Sequence, residues 1–251
     1  MKATVKIRNV VFGEGLPKIC IPFTGTELEE LRESTRAIKE VPFDFVEWRA
    51  DFYKGIENPE VRTQAMEMLR GQLGDTPILF TIRTSVEGGK LEISTEDYID
   101  LLVSAINSGL IDLVDVELSR GDDTMAVIAE AAHKTGVKII GSLHDNFATP
   151  SKERIVHHLC QMQQMGADIV KFAVTPQSSR DVLTLLDATL TMIEEHNSTP
   201  VITMSMGRQG IISRVSGSVF GSSVTFGTAG QASAPGQLPA ELLSTFLQSL
   251  A

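Results

Sequence analysis

Short apolar stretches alternate along this chain with longer stretches in which apolar residues recur every three or four positions. The short stretches are typical of buried β-strands, and the longer ones of helices that cover a sheet. The predicted strands are Lys18–Pro22, Phe43–Arg49, Ile78–Arg83, Leu113–Leu118, Val137–His144, Asp168–Val174, Val201–Met206 and Ser223–Phe226. The predicted helices are Glu27–Lys39, Pro59–Leu73, Thr95–Ser108, Asp123–Lys134, Lys152–Met165, Ser179–Glu195, Gly210–Val215 and Ala240–Leu250.

Eight strands that alternate with eight helices over 251 residues predict an α/β protein with a (β/α)8 TIM barrel. We expect residues 1–251 to form one barrel domain. Residues 3–12 alternate like a small strand, and Phe12-Gly13-Glu14-Gly15 is typical of a turn after a hairpin. A doubly wound open sheet is the alternative, but no GxGxxG sequence follows the first strand.

Five of the predicted strands carry polar side chains on one face and bulky apolar side chains on the other. Residues two apart in a strand share a face. In a barrel the apolar face packs against the helices, and the other face lines the lumen, where active sites occupy the C-terminal end. We therefore expect polar groups from these strands to meet at one mouth, with Arg214 beside them: Glu47, Arg49, Arg83, Asp115, Glu117, His144 and Lys171.

Lys171 stands in the middle of the apolar stretch Ala167–Val174. A buried ammonium group is costly, so this lysine is either paired with an acid or partly neutral. A neutral lysine is a nucleophile for carbonyl groups. An exposed lysine on an edge strand is the alternative. His144 lies at the end of the preceding strand, where an imidazole could take a proton from the carbon beside an iminium.

The other polar residues leave alternatives open. Asp115 and Glu117 are expected to be counter-ions for Lys171 and the arginines. Glu47 and Arg49 either bind substrate or form a salt bridge with each other. The acidic residues and His144 could form a metal site, but no HxxxH spacing supports one. An iminium supplies its own electron sink, so we expect neither metal nor cofactor.

The glycine-rich segment 227–237 follows the last predicted strand. The loop after the eighth strand of a barrel often binds phosphate, so a phosphate site is one interpretation. A mobile lid that closes over the substrate is the other.

Composition narrows the classes of partner. The chain has 22 lysine and arginine residues against 32 aspartate and glutamate residues, a net charge of −10, which argues against nucleic acid. No apolar run approaches the roughly 18 residues of a membrane span, and the N-terminal stretch lacks the apolar core of a signal peptide. Cys20 and Cys160 are far apart and belong to no CxxC pair, which predicts reduced thiols and a cytoplasmic location.

With these residues identified, the chain resembles the type I 3-dehydroquinate dehydratases, the Schiff-base class of that shikimate-pathway enzyme, over nearly its whole length. The family usually has His-Asp-Phe or His-Asn-Phe at its histidine, whereas here Asn146 precedes Phe147, so local packing beside His144 should differ. The resemblance is carried by Glu47-Trp48-Arg49, Thr81-Ile82-Arg83, His144-Asp145, Thr149-Pro150, Lys171, Met204-Ser205-Met206-Gly207, Ser213-Arg214 and Ser233-Ala234-Pro235-Gly236-Gln237.

The resemblance implies a homodimeric barrel, with an N-terminal hairpin over its bottom, that dehydrates 3-dehydroquinate to 3-dehydroshikimate. It implies that Lys171 forms an imine with the C3 ketone, that His144 is the general acid and base, and that Glu87 orients His144. The residues that it implies for the substrate are Glu47, Arg49 and Arg83 at the hydroxyl groups, and Arg214, Ser233 and Gln237 around the carboxylate.

Two other functions remain open from the residues alone. One is a class I lysine-imine aldolase acting on a sugar phosphate, which would use segment 227–237 for the phosphate. The other is a barrel without catalytic activity that binds a polyhydroxy acid. The pairing of a buried lysine with a histidine on the neighbouring strand argues against the second.

Overall fold

The computed structural model describes residues 3–230 and 232–250; Gln231, which belongs to the predicted lid, lies outside the described residues. The strands are β1 Val5–Ile7, β2 Val10–Phe12, β3 Lys18–Phe23, β4 Phe45–Arg49, β5 Ile78–Thr81, β6 Leu113–Glu117, β7 Lys138–Asp145, β8 Ile169–Val174, β9 Val201–Ser205, β10 Val224–Thr228 and β11 Leu238–Pro239. The α-helices are α1 Leu28–Ala37, α2 Pro59–Leu73, α3 Thr95–Asn107, α4 Asp122–Thr135, α5 Lys152–Gln164, α6 Ser179–Glu195, α7 Ile211–Val215, α8 Gly217–Phe220 and α9 Ala240–Ser249.

Strands β3 to β10 form the predicted parallel barrel. They follow one another in chain order from β3 to β9, and β10 returns to pair with β3. All eight predicted strands and eight predicted helices are present with ends within two residues of those expected. The short elements α8 and β11 were not predicted. Across residues 3–230 and 232–250, no helix combines the length and apolar character that crossing a bilayer requires.

The barrel has a seam between β9 and β10. In the described part of the chain no strand ladder joins these two strands. Instead, the Ser223 N–H donates to the Val201 carbonyl at 2.7 Å. The Thr203 N–H donates to Ser222 Oγ at 3.1 Å. Two neighbouring serines thus close the wall at this point.

The lower half of the lumen is filled with apolar side chains. They form a cluster separate from the larger one between sheet and helices. The hairpin of β1 and β2 adds Ile7, Val10 and Phe12 to the lumen cluster and so plugs the bottom, as the resemblance implied. At the floor each barrel strand contributes one side chain: Cys20, Phe45, Leu79, Leu113, Ile140, Ile169, Ile202 and Val224. Four further members of the cluster lie higher and line the cavity: Ala173, Met204, Met206 and Phe226.

The hairpin itself lies within residues 3–12, because the chain reverses at Arg8-Asn9. Ile7 pairs with Val10 across this two-residue loop. Arg8 has a φ of 51°, which is the left-handed backbone that such tight hairpin loops require. The Arg8 guanidinium donates to the Asp112 carboxylate at 2.6 Å and thereby fastens the hairpin to the barrel.

Candidate active site

The polar side chains at the C-terminal ends of the strands surround a cavity of about 340 Å³. Those on β4, β7 and β8 lie two or four residues beyond the floor residue of the same strand, as the period of two predicted. Arg83, just after β5, lies four residues beyond Leu79. The cavity is lined by all nine residues that the resemblance implied for catalysis and substrate binding: Glu47, Arg49, Arg83, Glu87, His144, Lys171, Arg214, Ser233 and Gln237.

Lys171 is buried in the centre of the sheet, with 4% of the residue exposed. Because β8 pairs on both sides, with β7 and β9, the edge-strand alternative is wrong. The Lys171 Nζ lies 3.4 Å from an Asp115 oxygen and 3.7 Å from a Glu47 oxygen. It also lies 4.8 Å from the centre of the Phe226 ring. Two carboxylates and an aromatic face therefore surround the Lys171 amino group inside the barrel.

His144 lies at the end of β7, next to the lysine strand, where it pairs with Ala173. Its Nδ1 is 2.8 Å from a Glu87 oxygen, and Ser119 Oγ donates to the other Glu87 oxygen at 2.6 Å. Burial lowers the pKa of His144 well below its ordinary value, and the charges of Arg83 and Lys171 add to that effect. His144 is therefore neutral near pH 7. When Nδ1–H donates to the Glu87 carboxylate, Nε2 keeps a lone pair that can accept a proton.

Arg83 contacts more of the buried acidic groups than Lys171 does. It donates to Asp115 at 2.8 Å and to Glu117 at 2.9 Å. It also contacts Glu87 at 3.4 Å and the Ser142 hydroxyl at 3.0 Å. The acids next to Lys171 and next to His144 are thus held by one guanidinium group, so the two predicted catalytic residues share an electrostatic environment.

The three acids around Arg83 have different pKa shifts. Burial opposes ionisation of Asp115, but Arg83 and then Lys171 outweigh it and hold the Asp115 pKa well below its usual value. Burial raises the pKa of Glu87 and of Glu117, although Arg83 opposes this. Asp115 is thus the firmly ionised member. It is the counter-ion that the sequence indicated for Lys171.

Arg49 pairs with Asp51 rather than with Glu47. The Arg49 Nε and Nη2 atoms lie 2.8 Å and 2.9 Å from the two Asp51 oxygens. Glu47 instead accepts from the Thr81 hydroxyl at 3.0 Å. Both Glu47 and Arg49 line the cavity, so each retains polar atoms near a bound molecule.

Arg214 has no acidic partner among the residues that the structure describes, although only 3% of it is exposed. Its Nη2 donates to the Pro235 carbonyl at 2.9 Å. Its buried Nε lacks a hydrogen-bond partner within the same residues. Burial lowers the pKa of Arg214 to about 10, which still leaves it charged at neutral pH. Such a buried cation in a cavity wall fits an anionic group of a ligand.

The loop after β10 lies over the cavity. The Pro235 carbonyl also accepts from the Gly207 N–H at 3.1 Å, which ties the loop to the end of β9. The Ser233 N–H donates to Gln237 Oε1 at 2.8 Å, and Gln237 Nε2 donates to Ser233 Oγ at 2.9 Å. The interpretation of this loop as a lid stays a prediction.

A sequence model of the type I 3-dehydroquinases matches residues 19–251. The chain belongs to the type I 3-dehydroquinase family.

Relatives of known identity resemble the chain over its whole length. A 3-dehydroquinate dehydratase of Syntrophotalea carbinolica is 47% identical, over 99% of this chain and 98% of the relative. One from Bacillus licheniformis is 45% identical, over 100% of this chain and 98% of the relative. A crystal structure of the type I 3-dehydroquinate dehydratase of Clostridium difficile with covalent modified comenic acid superposes with a TM-score of 0.97 at 44% identity, covering 100% and 98% of the two chains.

Several residues of this type I 3-dehydroquinase site were missed in the sequence. Asp51 lies two residues beyond Arg49 in the short helical turn that follows β4, where strand alternation no longer applies, so the period of two did not indicate it. Phe226 lies on the lumen face of β10, where its apolar character gave no sign of a contact with Lys171. Asn146 lines the cavity as well.

The described residues, 3–230 and 232–250, contain no group of three histidine, cysteine, aspartate or glutamate side chains arranged to hold a metal ion. The independence of this type I 3-dehydroquinase from metals and cofactors stays a prediction.

Proposed function

We propose that Lys171 and His144 carry out, through an imine, the reaction of this chain's family. As a type I 3-dehydroquinase, the chain is a lyase of the shikimate pathway that dehydrates 3-dehydroquinate to 3-dehydroshikimate. The observation that carries the proposed mechanism is the placement of an amine and a neutral imidazole on neighbouring strands of one cavity. Neither the aldolase nor the non-catalytic alternative is favoured by family membership.

Imine formation is the task of Lys171. The amine gives up a proton and adds to the C3 ketone, and loss of water from the resulting carbinolamine leaves an iminium ion. Asp115 and Glu47 lie close enough to stabilise the positive charge on nitrogen. The iminium withdraws electrons from C2, so a C2 proton becomes acidic enough for a side chain to remove.

Proton transfer is the task of His144. Its neutral imidazole takes the C2 proton, and an enamine forms. The enamine electrons then expel the C1 hydroxyl, which leaves as water after His144 returns the proton to it. Hydrolysis of the product imine releases 3-dehydroshikimate and restores Lys171. The Glu87 carboxylate at Nδ1 stabilises the imidazolium between the two transfers.

Three arginines, Glu47 and two residues of the loop are proposed to bind the substrate. Arg214 fits the carboxylate, because it has charge without an acidic partner in the described residues. Ser233 and Gln237 lie on the loop that contacts Arg214, so they can share that carboxylate. Glu47, Arg49 and Arg83 are proposed to bind the hydroxyl groups, since all three line the cavity.

Borohydride reduction tests this mechanism. Reduction in the presence of 3-dehydroquinate should attach the ligand covalently to Lys171, as mapped by mass spectrometry of peptides. A sample reduced without 3-dehydroquinate is the control and should carry no adduct. The same preparation is assayed for the ultraviolet absorbance of the enone product. Turnover together with an unmodified Lys171 would exclude the imine.

A homodimer in the cytoplasm completes the proposal. The resemblance implies the dimer. An exposed apolar surface on α9 and at its C-terminal end could bury itself in the dimer interface, because Leu242, Phe246 and Leu250 are more than 40% exposed and share one face. Sedimentation velocity over a range of concentrations tests the dimer, and a constant monomer mass would contradict it. The free thiols of Cys20 and Cys160 are compatible with a reducing compartment.

A further inference from the structure

Asn146 is a cavity residue to which the mechanism gives no role. It follows His144 by two positions, lines the same cavity and is half-buried. Its side-chain amide makes no hydrogen bond to the residues that the structure describes. A primary amide has two donor hydrogens and an acceptor oxygen, so the Asn146 side chain is free to bond to a molecule in the cavity.

The backbone around Asn146 is held in place by its neighbours. Asp145 Oδ1 accepts from the N–H groups of Phe147 at 3.0 Å and of Ala148 at 2.8 Å. Gln177 Nε2 donates to the Phe147 carbonyl at 2.8 Å. The turn therefore presents two side chains differently: Asn146 lines the cavity, and Phe147 is 85% exposed.

Gly88 provides the space that the Asn146 amide occupies. A Cβ atom at Gly88 would lie 2.6 Å from Asn146 Nδ2, and Gly88 has a φ of +83°. Any side chain at that position would displace the amide or strain the backbone. The amide thus packs against the turn that carries Glu87, on the His144 side of the cavity.

We propose that Asn146 binds a hydroxyl group of the substrate and helps to select for it. This inference rests on the proposed function. A hydroxyl group both donates and accepts, which matches the neutral amide, and it would provide the partners that the amide lacks. A site that hydrogen-bonds a hydroxyl also discriminates against molecules that lack it.

Steady-state kinetics of Asn146→Ala and Asn146→Leu test the proposal. Both variants should raise the KM for 3-dehydroquinate about 3- to 10-fold, the effect of one neutral hydrogen bond, with kcat changed less than about twofold. Phe147→Ala is the matched control on the same turn and should leave both constants unchanged. The increase in KM should vanish with a substrate analogue that lacks the contacted hydroxyl at C4 or C5.

Two outcomes would overturn the inference. One is an unchanged KM in both Asn146 variants while the unaltered chain turns over 3-dehydroquinate. The other is a lower kcat with a shifted pH profile, because Asn146 would then act through Glu87 and His144 as a positioning residue. Turnover by the unaltered chain tests the proposed function separately. The present inference depends only on the ratio of the KM of each variant to the KM of the unaltered chain.

Discussion

The two halves of the barrel lumen are built from the same strand faces but have opposite chemistry. In the lower half, each of the eight strands contributes an apolar side chain to the floor, and the hairpin covers the end. One pleat higher, the same strands carry the charges of Glu47, Asp115 and Lys171. A change of two residues along a strand is enough to pass from a packed core to a reactive site.

The halves also differ in what holds them together. Apolar packing is non-directional and depends on filled volume. The upper half depends on specific partners, since one unpaired buried charge costs several kcal/mol. Arg83, with three acids and a hydroxyl around it, is the clearest case. A substitution in the lower half should therefore change the free energy of unfolding, and a substitution in the upper half should change the rate of the reaction.

Lys171→Arg should show the largest effect, the loss of detectable turnover. A guanidinium group stays protonated at any usable pH, so it cannot form the imine. It keeps a positive charge beside Asp115, so thermal unfolding followed by circular dichroism should show a folded protein. Measurable formation of enone by this variant would show that the upper half of the lumen does not depend on the Lys171 amine for its chemistry.

His144→Ala should lower turnover by about 10²- to 10⁴-fold, the usual contribution of a general acid–base group. The adduct on Lys171 should still form under borohydride, because imine formation and C2 proton transfer are separate steps. Rapid-quench trapping and steady-state assays measure the two. Nearly normal turnover would remove His144 from the mechanism.

Phe45→Ala tests the lower half. Its ring is fully buried in the floor and packs edge-on against the Phe12 ring, with 5.1 Å between the two ring centres. Removal should lower the free energy of unfolding by about 3–5 kcal/mol, while kcat and KM stay within about twofold below the unfolding transition. Phe147→Ala, at an exposed position, is the control and should change stability by less than about 0.5 kcal/mol. A chemical defect without a loss of stability would refute the division into two halves.

Gln237→Ala should have a smaller effect, raising KM about 3- to 10-fold with little change in the rate of imine formation. The reason is that Gln237 lies on the loop over the cavity and bonds Ser233 there. Amide hydrogen exchange in residues 227–237 should slow when ligand binds, since a lid becomes ordered over it. Equal protection with and without ligand would show that this loop is not a lid.

The smallest expected effect is the change in the free energy of unfolding with pH. The pKa of His144 is lower in the folded chain than in the unfolded one, so the unfolded chain binds the extra proton as the pH falls below about 6.5. This should cost the folded state about 1 kcal/mol between pH 6.5 and 5.5. Chemical denaturation of the unaltered chain and of His144→Asn isolates this contribution, because the variant lacks the titrating group. Identical pH dependence in both would contradict it.

Local periodicity was sufficient to predict the barrel and, for five of its strands, the side that faces the lumen. Alternation along a strand is fixed by backbone geometry, so Lys171 and Glu47 could be assigned to one site without coordinates. The choice of ionic partners was not accessible in the same way. Arg49 pairs with Asp51 rather than Glu47, and that choice depends on how the chain turns after β4.

Loops and closures were the other limit of the sequence. The contact of the Pro235 carbonyl with Arg214 joins two segments that have no shared pattern. The serine seam between β9 and β10 depends on bonds from Ser222 and Ser223, two small polar residues that could equally belong to an exposed turn. Such contacts between distant segments follow from the assembled barrel, which is why local pattern did not reveal them.

The pairing of β10 with β3 has a consequence for synthesis on the ribosome. The barrel cannot close until Val224 and the residues after it have been made, because one edge of β3 stays unpaired until β10 is present. A nascent chain that stops before Val224 would have two unpaired sheet edges, on β3 and on β9, and such edges promote aggregation. β7 and β8, which carry His144 and Lys171, are complete by then. β10 therefore adds neither of the two proposed catalytic residues; it encloses a site whose reactive residues have already been translated.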